Sequence, residues 1–202
     1  MRKDKITLCA IAAFVLYGLV GIFHSAYSAT PALDRNVATE TVSSGWTTRT
    51  SYDVGIKKWF VDTVPDLSVA PLTPLLKPYE NLRSWVGLSC DGENKWPFIG
   101  FTETPIQEQI NDSAESKVFY AQVAWGNISR NVPLAQKKRR PRFFVFSDAS
   151  SIMEQMLNSK AMSIKIDWYG PQSARFEYSL EDIKSAFYEL EKECVKIAPN
   201  TN

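Results

Sequence analysis

The chain has 202 residues, 23 Lys and Arg against 22 Asp and Glu for a net charge of +1, one histidine and three cysteines. A near-neutral balance removes any general attraction to nucleic acid. The only histidine, His24, and one cysteine, Cys9, fall inside the first 28 residues, so imidazole-dependent catalysis and zinc binding are lost if that segment is removed.

Removal is expected. Arg2, Lys3 and Lys5 precede a charge-free, mostly apolar run over 6–23, and small residues follow at Ala26 and Ser28. A basic start, an apolar stretch and a small-x-small site form a secretory signal. Cleavage after Ser28 takes away three basic residues and one acidic residue, leaving 20 and 21. The apolar run also approaches the roughly 20 residues that span a bilayer, so an uncleaved inner-membrane anchor is the alternative. Either way the basic cluster stays on the inner side, and the remainder is expected to be periplasmic or secreted.

Residues 29–43 (ATPALDRNVATETVS) hold no large aromatic and no sustained periodicity, which reads as a flexible spacer. A single β-rich domain is expected over 44–196, followed by a disordered tail over 197–202. Segments rich in aromatic and β-branched residues predict strands over 46–53, 56–64, 84–90, 96–102, 118–125, 142–147, 162–169 and 174–179. Turns are expected around Asp91-Gly92 and Gly170-Pro171.

Two helices interrupt the strands. Ser151 and Glu154 form a capping-box pattern ahead of Met153, Met156 and Leu157. Ser179 is placed to cap a second helix in which Ile183, Ala186, Phe187, Leu190 and Cys194 recur at helical spacing. The expected fold class is α+β, mainly β: an antiparallel sheet or sandwich with both helices packed on it.

In the segment WVGLSC, Val86, Leu88 and Cys90 share one face by the period-two rule. Cys194 ends the apolar stripe of the second helix. In an oxidising compartment the two remaining cysteines most simply form one disulfide, Cys90–Cys194. A redox-active pair and two buried thiols are the alternatives, and a redox pair usually needs close C-x-x-C spacing.

Little catalytic apparatus remains in the exported part. No glycine-rich phosphate loop is present, and no catalytic residue, cofactor or metal is expected. Carboxylate catalysis needs only Asp and Glu, so Asp91, Glu93, Glu103, Glu108 and Asp112 allow a cell-wall hydrolase as the alternative function. The plainer reading of these acids is turns and solvent-facing positions. The run Lys137, Lys138, Arg139, Arg140, Pro141, Arg142 is the sharpest charge feature. It is a candidate for binding an anionic membrane surface or a partner, or else a solvated loop that insulates the following strand from edge pairing. The pairs Trp59-Phe60, Phe119-Tyr120, Phe143-Phe144 and Trp168-Tyr169 put one ring on each sheet face, so some rings face a second layer or a partner.

The stretch RFFVFSDASSIMEQMLNSKAMSIKIDWYGPQSARFEYSLEDIKSAFYELEKEC resembles the C-terminal half of the VasI/TagO-like accessory proteins associated with bacterial type VI secretion. The shared pattern is a short helix, a strand over 162–168, a turn at Gly170-Pro171, Ala174-Arg175-Phe176 with Ser179, and a helix closing on Cys194. Upstream, LSCDGENKWPFIGF is similar to the family's cysteine, polar turn and second strand, so the likeness covers about residues 84–194. Ser51-Tyr52-Asp53 only faintly matches the family's Ser-x-x-Asp-Asp segment, and Cys194-Val195-Lys196 replaces its closing Cys-Gly-Trp. The resemblance implies an envelope accessory protein with a protein partner and carries over no catalytic residue. A non-enzymatic interaction module is the expected function, with a membrane-anchored immunity-type protein as a further alternative.

Overall fold

The computed structural model describes residues 36–104, 116–137, 140–169 and 172–198. The export segment 1–28, the apolar run within it, the first part of the spacer, Glu108, Asp112, Lys138, Arg139, Gly170-Pro171 and residues 199–202 lie outside them. No helix among the described residues is long and apolar enough to cross a membrane.

Among the described residues, ten strands form one antiparallel sheet. The first five are β1 (Asn36–Ser43), β2 (Trp46–Asp53), β3 (Lys58–Pro65), β4 (Ser84–Cys90) and β5 (Lys95–Phe101). The rest are β6 (Ser116–Trp125), β7 (Ile128–Lys137), β8 (Phe143–Phe146), β9 (Ala161–Tyr169) and β10 (Gln172–Ser179), with helices α1 (Ala149–Leu157) and α2 (Ile183–Ile197). Strands lie in the order β1-β2-β3-β4-β5-β8-β7-β6-β9-β10. The α+β, mainly β class therefore holds.

The inner face carries the main core. Val86, Leu88 and Cys90 of β4, Ile99 and Phe101 of β5, and Phe144 and Phe146 of β8 join Ile152 and Met156 of α1 and Ile183, Ala186 and Leu190 of α2 in one buried cluster. Helix α2 packs across β2, β3 and β4, and α1 against β5 and β8. The sheet curls until β10 meets β4. There Tyr178 Oη lies 2.7 Å from Ser84 Oγ, and Ser84 Oγ donates to the Gly100 carbonyl at 2.9 Å. Burial, outweighing that hydrogen bond, pushes the Tyr178 hydroxyl well above the ordinary tyrosine pKa. The 66–83 connection fills the gap: Leu75, Tyr79 and Leu82 are buried, and Leu72 N donates to the Arg175 carbonyl at 2.8 Å.

Cys90 and Cys194 are joined as a disulfide that staples the last turns of α2 to β4. It points to an oxidising, non-cytoplasmic compartment. Gly92, at φ +90°, turns the chain under the end of α2, where a Cβ would come within 2.9 Å of the Ile197 carbonyl oxygen.

Four expectations are corrected. The spacer does not extend to residue 43, because 36–43 form β1 and pair with β2. The two strands meet through Ser44 and Gly45, both at positive φ, the two-residue loop whose twist suits a hairpin. Residue 197 belongs to α2 rather than to a tail. Strand β7, absent from the sequence reading, pairs along its whole length with β6 through a Gly126-Asn127 loop. The helix caps also move: Asp148, not Ser151, caps α1 by accepting from Ser151 N, while α2 begins after Asp182, which makes no side-chain cap. Ser179 instead accepts from Glu181 N.

Candidate functional site

Strand β4 is buried at all seven positions, so its outer face is covered as well as its inner one. Trp85, Val64 and Phe98 form a second buried cluster there, with Trp96, Phe143 and Val145 packed against it. The rings meet edge to face: Phe98 and Phe143 centroids lie 5.7 Å apart, Trp85 and Phe143 6.1 Å, and Phe60 and Trp96 6.3 Å. Phe60, Trp96, Phe98 and Phe143 floor an open groove of about 1960 Å³ that continues past the N-terminal half of β5 to α1 and α2.

Two hairpin tips build its charged rim by the same device. In the β2–β3 turn, Asp53 Oδ1 accepts from Gly55 N and Ile56 N at 3.0 and 3.3 Å, while Oδ2 pairs with Arg140 Nη2 at 2.6 Å. In the β4–β5 turn, Asp91 Oδ1 accepts from Glu93 N and Asn94 N at 3.2 and 2.8 Å, while Oδ2 pairs with Lys58 Nζ at 2.7 Å. Each carboxylate therefore shapes a turn with one oxygen and ties down a neighbouring segment with the other. Between them sits Asp62, 6% exposed, accepting from Ser89 Oγ at 2.6 Å.

Burial alone would raise the Asp91 pKa, but the hydrogen bonds from Lys58, Asn94 and Glu93 outweigh it and hold the carboxyl below its ordinary value. Lys58 is held above its ordinary value, chiefly by the hydrogen bond to Asp91. Asp91 therefore stabilises the fold above the ordinary carboxylate range, and that contribution fades as pH falls through its lowered pKa. The Lys58 contribution is complete below the ordinary lysine pKa and fades as pH rises through its raised one. Asp91→Ala is expected to cost about 1–2 kcal/mol near neutrality through the lost turn hydrogen bonds. Urea unfolding against pH should show the deficit unchanged from about pH 5 to 9 and shrinking below about pH 4; a deficit that persists undiminished in acid would disprove the role.

Within the basic run, Arg140 and Arg142 are the basic residues whose side chains are described. Lys137 ends β7, and Lys138 and Arg139 lie outside the described residues. Arg140 is held by Asp53 and lies 5.4 Å from the Phe60 ring centroid. Arg142 is exposed on the groove rim, and its carbonyl accepts from Phe101 N. Of the acids singled out, Asp91 and Glu93 sit at one end of the β4–β5 hairpin and Glu103 follows the other. The seven residues of β5 between them span about 20 Å, too far for the paired carboxylates of glycoside hydrolysis at roughly 5–9.5 Å.

Asp53, Asp62, Trp96 and Phe143 were not singled out as site residues. Asp62 carried one signal, a carboxylate in the middle of the apolar strand KWFVDTVP. Phe143 carried another, its place in a ring pair that must split between faces. Compared with known proteins, the chain matches no family model, no curated protein and no solved structure.

Proposed function

We propose that the chain is an exported, non-enzymatic binding module of the cell envelope whose ligand occupies the outer groove. The observation that carries this reading is the groove itself, an aromatic floor framed by side chains whose charges are already engaged within the chain. Such a frame is rigid before any ligand arrives, and preorganisation lowers the entropic cost of binding. An accessory role in type VI secretion is the narrower form of the proposal, supported by the resemblance over about 84–194. Periplasmic location is part of it.

The test is site-specific photo-crosslinking in the native host. A photoreactive amino acid at Arg142, on the rim, is expected to give a discrete adduct. The same residue at Tyr120, 70% exposed on β6 and outside the groove, is expected to give none. Adducts from Tyr120 with none from Arg142 would overturn the assignment of the groove.

A further inference from the structure

The make-up of the groove narrows its ligand, an inference that rests on the groove being the binding face. Five basic and five acidic side chains line it, so it exerts little net pull on an ion of either sign. Several of them already hold one another, Arg140 with Asp53 and Lys58 with Asp91. A polyanion would have to break these pairs to recruit Lys58 or Arg140. At about 1960 Å³ the space also exceeds the roughly 300–1,000 Å³ of a single small-molecule site. A neutral, extended occupant matches this make-up.

Extended peptides commonly bind by adding a strand to a free edge. Strand β5 offers one inside the groove, because β8 pairs with residues 98–100 and, among the described residues, no strand pairs with 95–97 on that side. That edge is blunted. Pro97 has no N–H to donate, and α1 packs along β5. Recognition therefore falls to side chains.

Those side chains present the half-buried rings of Trp96 and Phe143, bordered by the exposed planar polar groups of Asn94 and Arg142. Rings that stack on C–H faces, with amide and guanidinium groups at their edges to meet hydroxyls, suit a pyranose. We infer that the groove binds a neutral oligosaccharide, with Trp96 as the principal stacking platform.

The experiment is calorimetric titration of the exported full chain with chitohexaose, cellohexaose and maltohexaose, alongside a neutral ten-residue peptide and a heparin hexasaccharide. At least one neutral sugar is expected to bind with a Kd below about 1 mM. Its affinity should change less than about twofold between 50 and 500 mM salt, since no ion pair is formed. Trp96→Leu, which keeps an apolar side chain but removes the flat ring, should weaken binding about tenfold, or 1.4 kcal/mol. Trp96→Phe should restore most of it, and Tyr120→Ala should leave it unchanged. Failure of all three sugars overturns the inference, as does a binding sugar that Trp96→Leu leaves unaffected. If the sugars fail while Arg142 still crosslinks to a polypeptide, the ligand class is wrong and the groove stands; if both fail, the groove is not the binding face.

Discussion

Unfolding of the double variant Cys90→Ala/Cys194→Ala is expected to require about 4 kcal/mol less free energy than that of the oxidised protein. The disulfide closes a loop with a sequence separation of 104, and the chain-entropy model gives about 4.7 kcal/mol for a loop near 100 residues, which measured cases often undershoot. The loss should be concentrated in α2. That helix starts without a side-chain cap, and its first turn is held by the burial of Ile183 and by the Trp46 indole donating to the Glu181 carbonyl at 3.0 Å. Its far end rests on the staple and on Leu190, with Tyr188 and Val195 exposed. Equilibrium urea unfolding measures the total, and hydrogen exchange resolves its distribution. The wild type under reducing conditions should behave like the double variant. A loss below about 1 kcal/mol, or amides of the last α2 turns as protected as before, would show that apolar packing holds the helix unaided.

Most of the sheet was legible because its central strands announce themselves. Strands β2 and β4 occupy 46–53 and 84–90 as expected, each dense in β-branched or aromatic residues and bounded by turn residues. Strand β1 was hidden because NVATETVS contains no ring, and its described side chains are mostly exposed. An edge strand of this kind is fixed by its hairpin turn rather than by burial. Strand β7 was hidden for a different reason: Pro133 in its middle has no N–H to donate to a ladder, yet it faces Tyr120 in a fully paired one. The cap of α1 moved by three residues because Asp148 and Ser151 both suit the position, and the helix begins at Ala149, directly after Asp148.

The disulfide followed from two local periodicities and one compartment, all readable along the chain. The groove did not, because its floor joins β3, β4, β5 and β8, and β8 reaches β5 only through a crossover in strand order. Nothing in the one-dimensional pattern places Phe143 beside Phe98. The basic run shows the same limit, since its contact with Asp53 spans 87 residues. What reads as a cationic patch in sequence is, at Arg140, one half of a rim contact.

Gly100→Ala should cost about 2–3 kcal/mol, at the upper end of what overpacking a filled site usually costs. Gly100 faces Trp85 across the β4–β5 pair, and two residues along Gly87 faces Phe98. Each glycine lies under the ring opposite it, which covers the bare backbone. A Cβ on Gly100 would fall 2.2 Å from the Trp85 ring, and one on Gly87 would fall 2.5 Å from Phe98. Neither ring has a clear retreat. Trp85 is 2% exposed and packs edge to face on Phe143, which in turn packs on Phe98. Because neighbouring sites couple, Trp85→Leu should be far less costly in the Gly100→Ala background than alone, by at least about 1 kcal/mol in a double-mutant cycle followed by urea unfolding. A Gly100→Ala protein within about 0.5 kcal/mol of wild type, or strictly additive variants, would mean that the interlock is not rigid. Displacing Trp85 also displaces Phe143 at the groove floor, so Gly100→Ala should weaken binding of the proposed oligosaccharide from a position that does not line the groove. Stability of the outer cluster and shape of the groove floor are then one property of the same glycine-aromatic pairs.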